Sequence, residues 1–245
     1  MDSKPDSTEG IFLTLEGDDG VGKSTQADLL ASRLEQRGRT VLRVHEPGGT
    51  GLGEKIRALL LDKDDDAMTP FAELLLFEAA RAQVMEEVIE PALARGEVVV
   101  CDRFTDSTLA YQGYGRELGA SLVRSTNDLA CGGRYPDRTL LLVLDDDTAH
   151  ERVTARAADG AVDRMESVGD AFRARLRGGF DEIAAAEPER VHVIDANGSV
   201  EQVHERICAD LAGLLGTAGA GTENQTKPPR RHLSCSADSG AEERS

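Results

Sequence analysis

Residues 17–24 read Gly17-Asp18-Asp19-Gly20-Val21-Gly22-Lys23-Ser24, a G-x-x-x-x-G-K-[ST] spacing. These types suit one task, the holding of a triphosphate. Glycine lets backbone N–H groups approach phosphate oxygens and accepts positive φ, lysine places a charge at the β and γ phosphates, and serine offers a hydroxyl to Mg²⁺. Thr25 extends the ATP-binding stretch to residues 17–25. A dinucleotide-binding loop fits less well, because Thr25 stands where a small third residue should pack.

Further chemistry lies downstream. Asp102-Arg103 closes the apolar run Val98-Val99-Val100-Cys101, where a carboxylate suits Mg²⁺ or its water shell and Arg103 stands across from Lys23. Thr105-Asp106-Ser107-Thr108-Leu109-Ala110-Tyr111-Gln112-Gly113 has more short hydrogen-bonding side chains than helix capping needs. Phe77 and Arg81 are four apart on a helix, an aromatic plate beside a guanidinium. By spacing alone, a core Phe77 and a solvated Arg81 is the simpler reading. Arg152 and Arg156, also four apart, precede the small polar run 157–162. A mobile flap over residues 150–166 with basic residues at its edge would cover a bound nucleotide, although a solvated helix end has the same pattern.

The elements that must position these residues are legible in outline. Ile11-Phe12-Leu13-Thr14-Leu15-Glu16 predicts a buried strand, and Ala27, Leu30, Ala31 and Leu34 predict a helix over 25–37. Strand, glycine loop, helix is the setting the motif requires. Strands are predicted at 40–44, 97–103, 137–144 and 190–195, and helices at 54–61, from Pro70 with Thr69 as N-cap towards Ile89, from about 148, at 172–186 and at 200–215. Alternating strands and helices imply an α/β fold, a central parallel sheet with helices on both faces. Residues 1–10 and 216–245 are polar and read as disordered ends around one domain at 11–215.

Composition narrows the partners. The net charge of −17 argues against a nucleic-acid surface, but a few converging arginines can still hold a small anion. No run is apolar and long enough to span a bilayer, and the N-terminus has no apolar leader core, so a cytoplasmic protein without a membrane partner is expected. Cys101, Cys131, Cys208 and Cys235 have neither C-x-x-C spacing nor a histidine cluster, and read as reduced thiols.

Taken in order, several segments resemble bacterial thymidylate (dTMP) kinases over roughly residues 10–215. They are Leu15-Glu16-Gly17 into the glycine loop, Glu46-Pro47-Gly48-Gly49-Thr50, Leu76-Phe77-Glu78-Ala79-Ala80-Arg81, Asp102-Arg103-Phe104, Asp106 to Gly113, and Asp163-Arg164-Met165-Glu166. The resemblance implies ATP as co-substrate, Mg²⁺ held by Ser24 and Asp102, and a homodimer. It also implies that Phe77 stacks on thymine, Arg81 binds its O4, Asp19 takes the 3'-OH, Arg103 holds the dTMP phosphate, and Ser107, Thr108, Tyr111 and Gln112 line base and sugar. The catalytic cations would be Lys23, Arg103 and a flap arginine, Arg156 with Arg152 behind it. The chain departs from the pattern at His45, where an arginine is usual, at Phe104, where a tyrosine or histidine is usual, and in an arginine-poor flap. The competing readings are another P-loop nucleoside or nucleotide kinase and a P-loop ATPase switch. A guanine switch is disfavoured because N/T-K-x-D is absent and Asp102 leads into Arg103-Phe104-Thr105.

Overall fold

Five short apolar runs become five strands, β1 (Ile11–Glu16), β2 (Val41–His45), β3 (Val98–Asp102), β4 (Arg138–Val143) and β5 (Val191–Asp195). They pair in parallel in the order β2-β3-β1-β4-β5 in the computed structural model, which describes residues 10–62, 67–145, 165 and 169–215. The interior strand β3 is buried at every position, whereas the edge strands β2 and β5 are partly exposed. This explains the unbroken Val98-Val99-Val100-Cys101 run: a strand covered on both faces has no solvent side to alternate with.

The helices are α1 (Lys23–Gln36), α2 (Gly51–Leu61), α3 (Pro70–Val84), α4 (Glu90–Ala94), α5 (Thr105–Thr108), α6 (Ala120–Cys131), α7 (Asp170–Ala186) and α8 (Val200–Leu215). The β1 to β2 crossover runs across the sheet in one direction and the later crossovers in the other. Right-handed connections therefore put α1 on one face and the later crossover helices on the opposite face. Gln26 of α1 donates to Val200 O at 2.8 Å, which ties the start of α8 to α1.

Local chemistry sets the boundaries. Thr50 Oγ1 accepts from Gly53 N at 2.9 Å, so α2 begins three residues earlier than its apolar spacing predicts. Thr69 caps α3 as predicted, with Pro70 in its first turn. The predicted run towards Ile89 is interrupted: α3 ends at Val84, a π-helical turn spans Met85–Ile89, and α4 continues to Ala94. A second π-helical segment, Leu109–Gly115, extends α5. The 105–113 segment leads towards a helix whose bounds the sequence does not give, and α6 begins at Ala120. Residues 1–9 and 216–245, and the flap at 150–166 apart from Met165, lie outside the described residues.

Candidate active site

All strands of a parallel sheet end at one edge, and the chemistry gathers there. Pairing of Leu15 with Asp102 and of His45 with Asp102 sets the ends of β1, β3 and β2 level. The next residues continue the register, since Arg103 N donates to Leu15 O at 3.0 Å and Glu46 N to Asp102 O at 3.0 Å. The glycine loop, the Asp-Arg pair and the Glu-Pro-Gly-Gly segment, which contains a cis Glu46–Pro47 bond, are thereby brought side by side.

The glycine loop needs its glycines. Gly17 has φ +134°, and a Cβ there would stand 2.4 Å from Leu142 O. Gly22, at φ +96°, is the N-cap of α1, so the loop opens directly into that helix's N-terminus. Lys23 is buried, and its Nζ donates to Gly17 O at 3.1 Å and Asp18 O at 2.7 Å. Burial, reinforced by the Arg103 charge, pushes the Lys23 ammonium down to about 8. Ser24 Oγ donates to Asp102 Oδ2 at 2.5 Å. Ser24 and Thr25 are exposed at the loop's end.

Arg103 is one of two non-glycine residues with positive φ among the described residues, at +67°. Its Nη1 donates to Gly17 O and to Ser107 Oγ, each at 3.1 Å, and its Nη2 donates to the Asp19 carboxylate and to Tyr111 OH, the latter at 3.4 Å. Tyr111 OH in turn donates to Asp19 Oδ2 at 3.1 Å. Glu16 clamps this arrangement from below, accepting from Phe104 N at 2.7 Å and from Ser107 Oγ. Burial, and after it the nearby Asp106 charge, pushes the Glu16 carboxyl up to about 8.

Beside Arg103 opens a cleft of about 470 Å³, and of the residues predicted to bind dTMP it is lined by Asp19, Phe77, Arg103, Ser107, Thr108, Tyr111 and Gln112. Glu46, Pro47, Arg57, Leu61 and Met165 complete the lining. Arg81 is not part of that surface. It is 1% exposed, and Nε, Nη1 and Nη2 are directed to Glu46 at 2.8 Å, Glu78 at 3.0 Å, Asn127 at 2.8 Å and Thr108 at 2.8 Å. The solvated Arg81 of the spacing argument is thus corrected: two buried carboxylates require a cation between them. The guanidinium stands one hydrogen bond behind the wall, with Thr108 between it and the cleft. Burial raises the Glu46 carboxyl to about 7 despite the opposing pull of Arg81.

Two buried oxygens of residues that line the cleft, Glu46 Oε1 and Gln112 Oε1, have no hydrogen-bond partner among the described residues. Gln112 Nε2 donates to Glu73 Oε1 at 2.8 Å. Glu46, Arg57 and Glu73 join the site through the structure: Glu46 belongs to the Glu46-Pro47-Gly48-Gly49-Thr50 loop, whereas Arg57 and Glu73 carry no spacing signal in the sequence. Arg152 and Arg156 lie outside the described residues.

No group of three or more His, Cys, Asp or Glu forms a metal cage among the described residues. Ser24 Oγ and Asp102 Oδ2 lie 2.5 Å apart at the end of the glycine loop, a pair of hard oxygens whose chemistry would suit Mg²⁺, an ion that completes its shell from phosphate oxygens and water.

A P-loop at the end of β1, two cations converging on it, and a second cleft with an aromatic wall define a P-loop phosphotransferase with two nucleotide sites. A thymidylate kinase family model matches residues 15–207. The chain belongs to the thymidylate kinase family. It is 51% identical over 209 residues to a thymidylate kinase of Bifidobacterium longum subsp. infantis, covering 84% of this chain and 88% of that protein. It is 46% identical over 206 residues to one from Exiguobacterium sibiricum, covering 84% and 96%. The crystal structure of thymidylate kinase from Ehrlichia chaffeensis superposes with a TM-score of 0.67 at 37% identity, covering 82% of this chain and 98% of that one.

Proposed function

We infer that this chain transfers the γ-phosphoryl group of ATP to dTMP, giving dTDP for nucleotide biosynthesis. The observation that carries the reading is the convergence of Lys23, from the triphosphate loop, and Arg103, from the cleft, on the Gly17 carbonyl. A phosphate held by each would meet there.

The nucleophile is a dTMP phosphate oxygen, largely dianionic near neutral pH because its second pKa is about 6, so no strong base is needed. The barrier is repulsion between anions, and the residues answer it with positive charge and alignment. Lys23 lies against the β and γ phosphates, Arg103 holds the acceptor phosphate, and Arg57 adds charge to the same cleft. The flap cation is assigned to Arg156, with Arg152 behind it. Mg²⁺ on Ser24 and Asp102 would neutralise the β and γ oxygens.

Phe77 stacks on the base and Asp19 takes the 3'-OH, while Tyr111 crowds a ribose 2'-OH. Thr108 Oγ1 accepts from Arg81 Nη2, which leaves its own hydrogen for an acceptor in the cleft such as thymine O4; Arg81 acts at that edge through Thr108. Gln112 Oε1 takes the N3–H, a donor that cytosine lacks.

No helix among the described residues is long and apolar enough to cross a membrane. We place the enzyme with the cytoplasmic nucleotide pool, as a homodimer. Leu52 and Leu59 of α2 and Phe71 and Leu75 of α3 are all about half exposed, at 49%, 54%, 48% and 48%. Each pair shares one helix face, and a second copy would cover them.

The test is phosphoryl transfer from ATP to a panel of nucleosides and monophosphates, with and without a chelator. dTMP should be the best acceptor, dUMP weaker and thymidine inert, and chelation should stop turnover. Failure to phosphorylate any monophosphate would overturn the reading.

A further inference from the structure

The side-chain amide of Gln112 has two ends of opposite character, and something must decide which one faces the base. The residue is 0% exposed and lines the cleft. Its Nε2 donates to Glu73 Oε1 at 2.8 Å, while its Oε1 has no partner among the described residues. Glu73 is 1% exposed on α3, and Arg116 grips both of its oxygens, with Nε to Oε1 and Nη2 to Oε2 each at 3.1 Å. A carboxylate held in that fork is an acceptor only. It can take the amide's NH₂ end and would repel its oxygen. Arg116 is itself seated over the Phe172 ring, 5.1 Å from the centroid.

We propose that Glu73, held by Arg116, is a positioning residue that locks the Gln112 amide with its oxygen towards the base, and so makes the site select pyrimidines bearing N3–H over those with a bare N3. Thymine and uracil present a donor at N3 and cytosine an acceptor. A free amide could turn to serve either. A locked one leaves cytosine's N3 against an oxygen, and two buried acceptors facing each other cost affinity. The inference rests on the placement of Gln112 at the base.

Equilibrium binding of dTMP, dUMP and dCMP to the full chain tests it. Glu73→Ala, and Glu73→Met with more of the volume kept, should each reduce the dTMP-to-dCMP affinity ratio about tenfold, roughly one hydrogen bond's worth. The dTMP-to-dUMP ratio should stay unchanged, since both bases carry N3–H. Glu73→Gln should retain most of the wild-type selectivity, because its carbonyl can occupy the Oε1 position and accept from Gln112. Unaltered selectivity against dCMP in Glu73→Ala and Glu73→Met overturns the lock, as does an equal loss for all three nucleotides. Gln112→Leu separates the two levels. If it leaves the dTMP-to-dCMP ratio as in wild type, the placement of Gln112 at the base fails, and the lock with it. If it reduces the ratio and the Glu73 variants do not, only the lock fails.

Discussion

Lys23 Nζ and Arg103 Nη1 donate to the same acceptor, the carbonyl oxygen of Gly17, each at 3.1 Å. A buried cation and a partly buried one are held close by one main-chain oxygen, and the cost is visible in the Lys23 ammonium, lowered to about 8 first by burial and then by Arg103. Lys23→Met should therefore separate stability from activity. The variant should unfold at higher urea, gaining about 1 kcal/mol because an apolar side chain replaces a buried charge. Its kcat should fall by about 10²–10³-fold, the usual loss when one transition-state donor is removed. Loss of both stability and activity would mean that Lys23 is chiefly structural.

Arg81 stands between Glu46 and Glu78, with Thr108 separating it from the cleft. Arg81→Ala leaves two buried carboxylates without their cation and should destabilise the fold by about 3–5 kcal/mol. Thr108→Val is the milder test, since it removes the hydroxyl and keeps the volume. It should weaken dTMP binding about tenfold while leaving ATP binding within about twofold, measured by calorimetry for each nucleotide. Equal weakening of both nucleotides would remove Thr108 from the base site.

The Glu16 carboxyl is raised from 4.5 to about 8 by burial and by Asp106. Between those values the folded chain holds a proton there that the unfolded chain has released. Native stability from this group is thus present below about pH 4.5 and is lost as pH rises towards 8, by up to about 1.4 kcal/mol per pH unit. Urea unfolding at pH 5, 6, 7 and 8 should show the wild type losing ground against Glu16→Gln, which has no proton to release. A wild-type-minus-variant difference that is flat across the series would show that Glu16 is ionised throughout.

What the sequence revealed depended on how locally each function is encoded. The glycine loop and Asp102-Arg103 were legible because each is a contiguous motif at a strand end, and parallel pairing then brings them together. The role of Arg81 was not, because two of its partners, Glu46 and Asn127, are 35 and 46 residues away. Helix α6, which carries Asn127, gave little signal. Its buried positions are Val123, Asn127 and Cys131, and one of the three is polar because it serves Arg81. Glu73 reads as an ordinary first-turn acidic residue of α3, and only the fold shows it buried against Gln112 and Arg116. Spacing predicts which face a residue is on; it does not give the partner that makes a buried charge tolerable.

Arg103 holds its guanidinium over the cleft at the expense of its own backbone, with φ at +67°. A β-carbon in the left-handed region costs about 1–2 kcal/mol, and glycine avoids that cost. Replacing Arg103 by alanine or by glycine removes the same contacts to Gly17, Asp19, Ser107 and Tyr111, so comparing the two variants isolates the backbone. Arg103→Gly should be more stable than Arg103→Ala by about 1 kcal/mol in urea unfolding, although glycine gains more freedom in the unfolded chain. Both should be severely impaired in turnover, because the dTMP phosphate has lost its cation. If alanine proves the more stable, the backbone relaxes out of the left-handed region once the side chain's contacts are gone. The strain would then be imposed by the guanidinium's grip on Gly17 and Asp19, and not by the junction of β3 with α5.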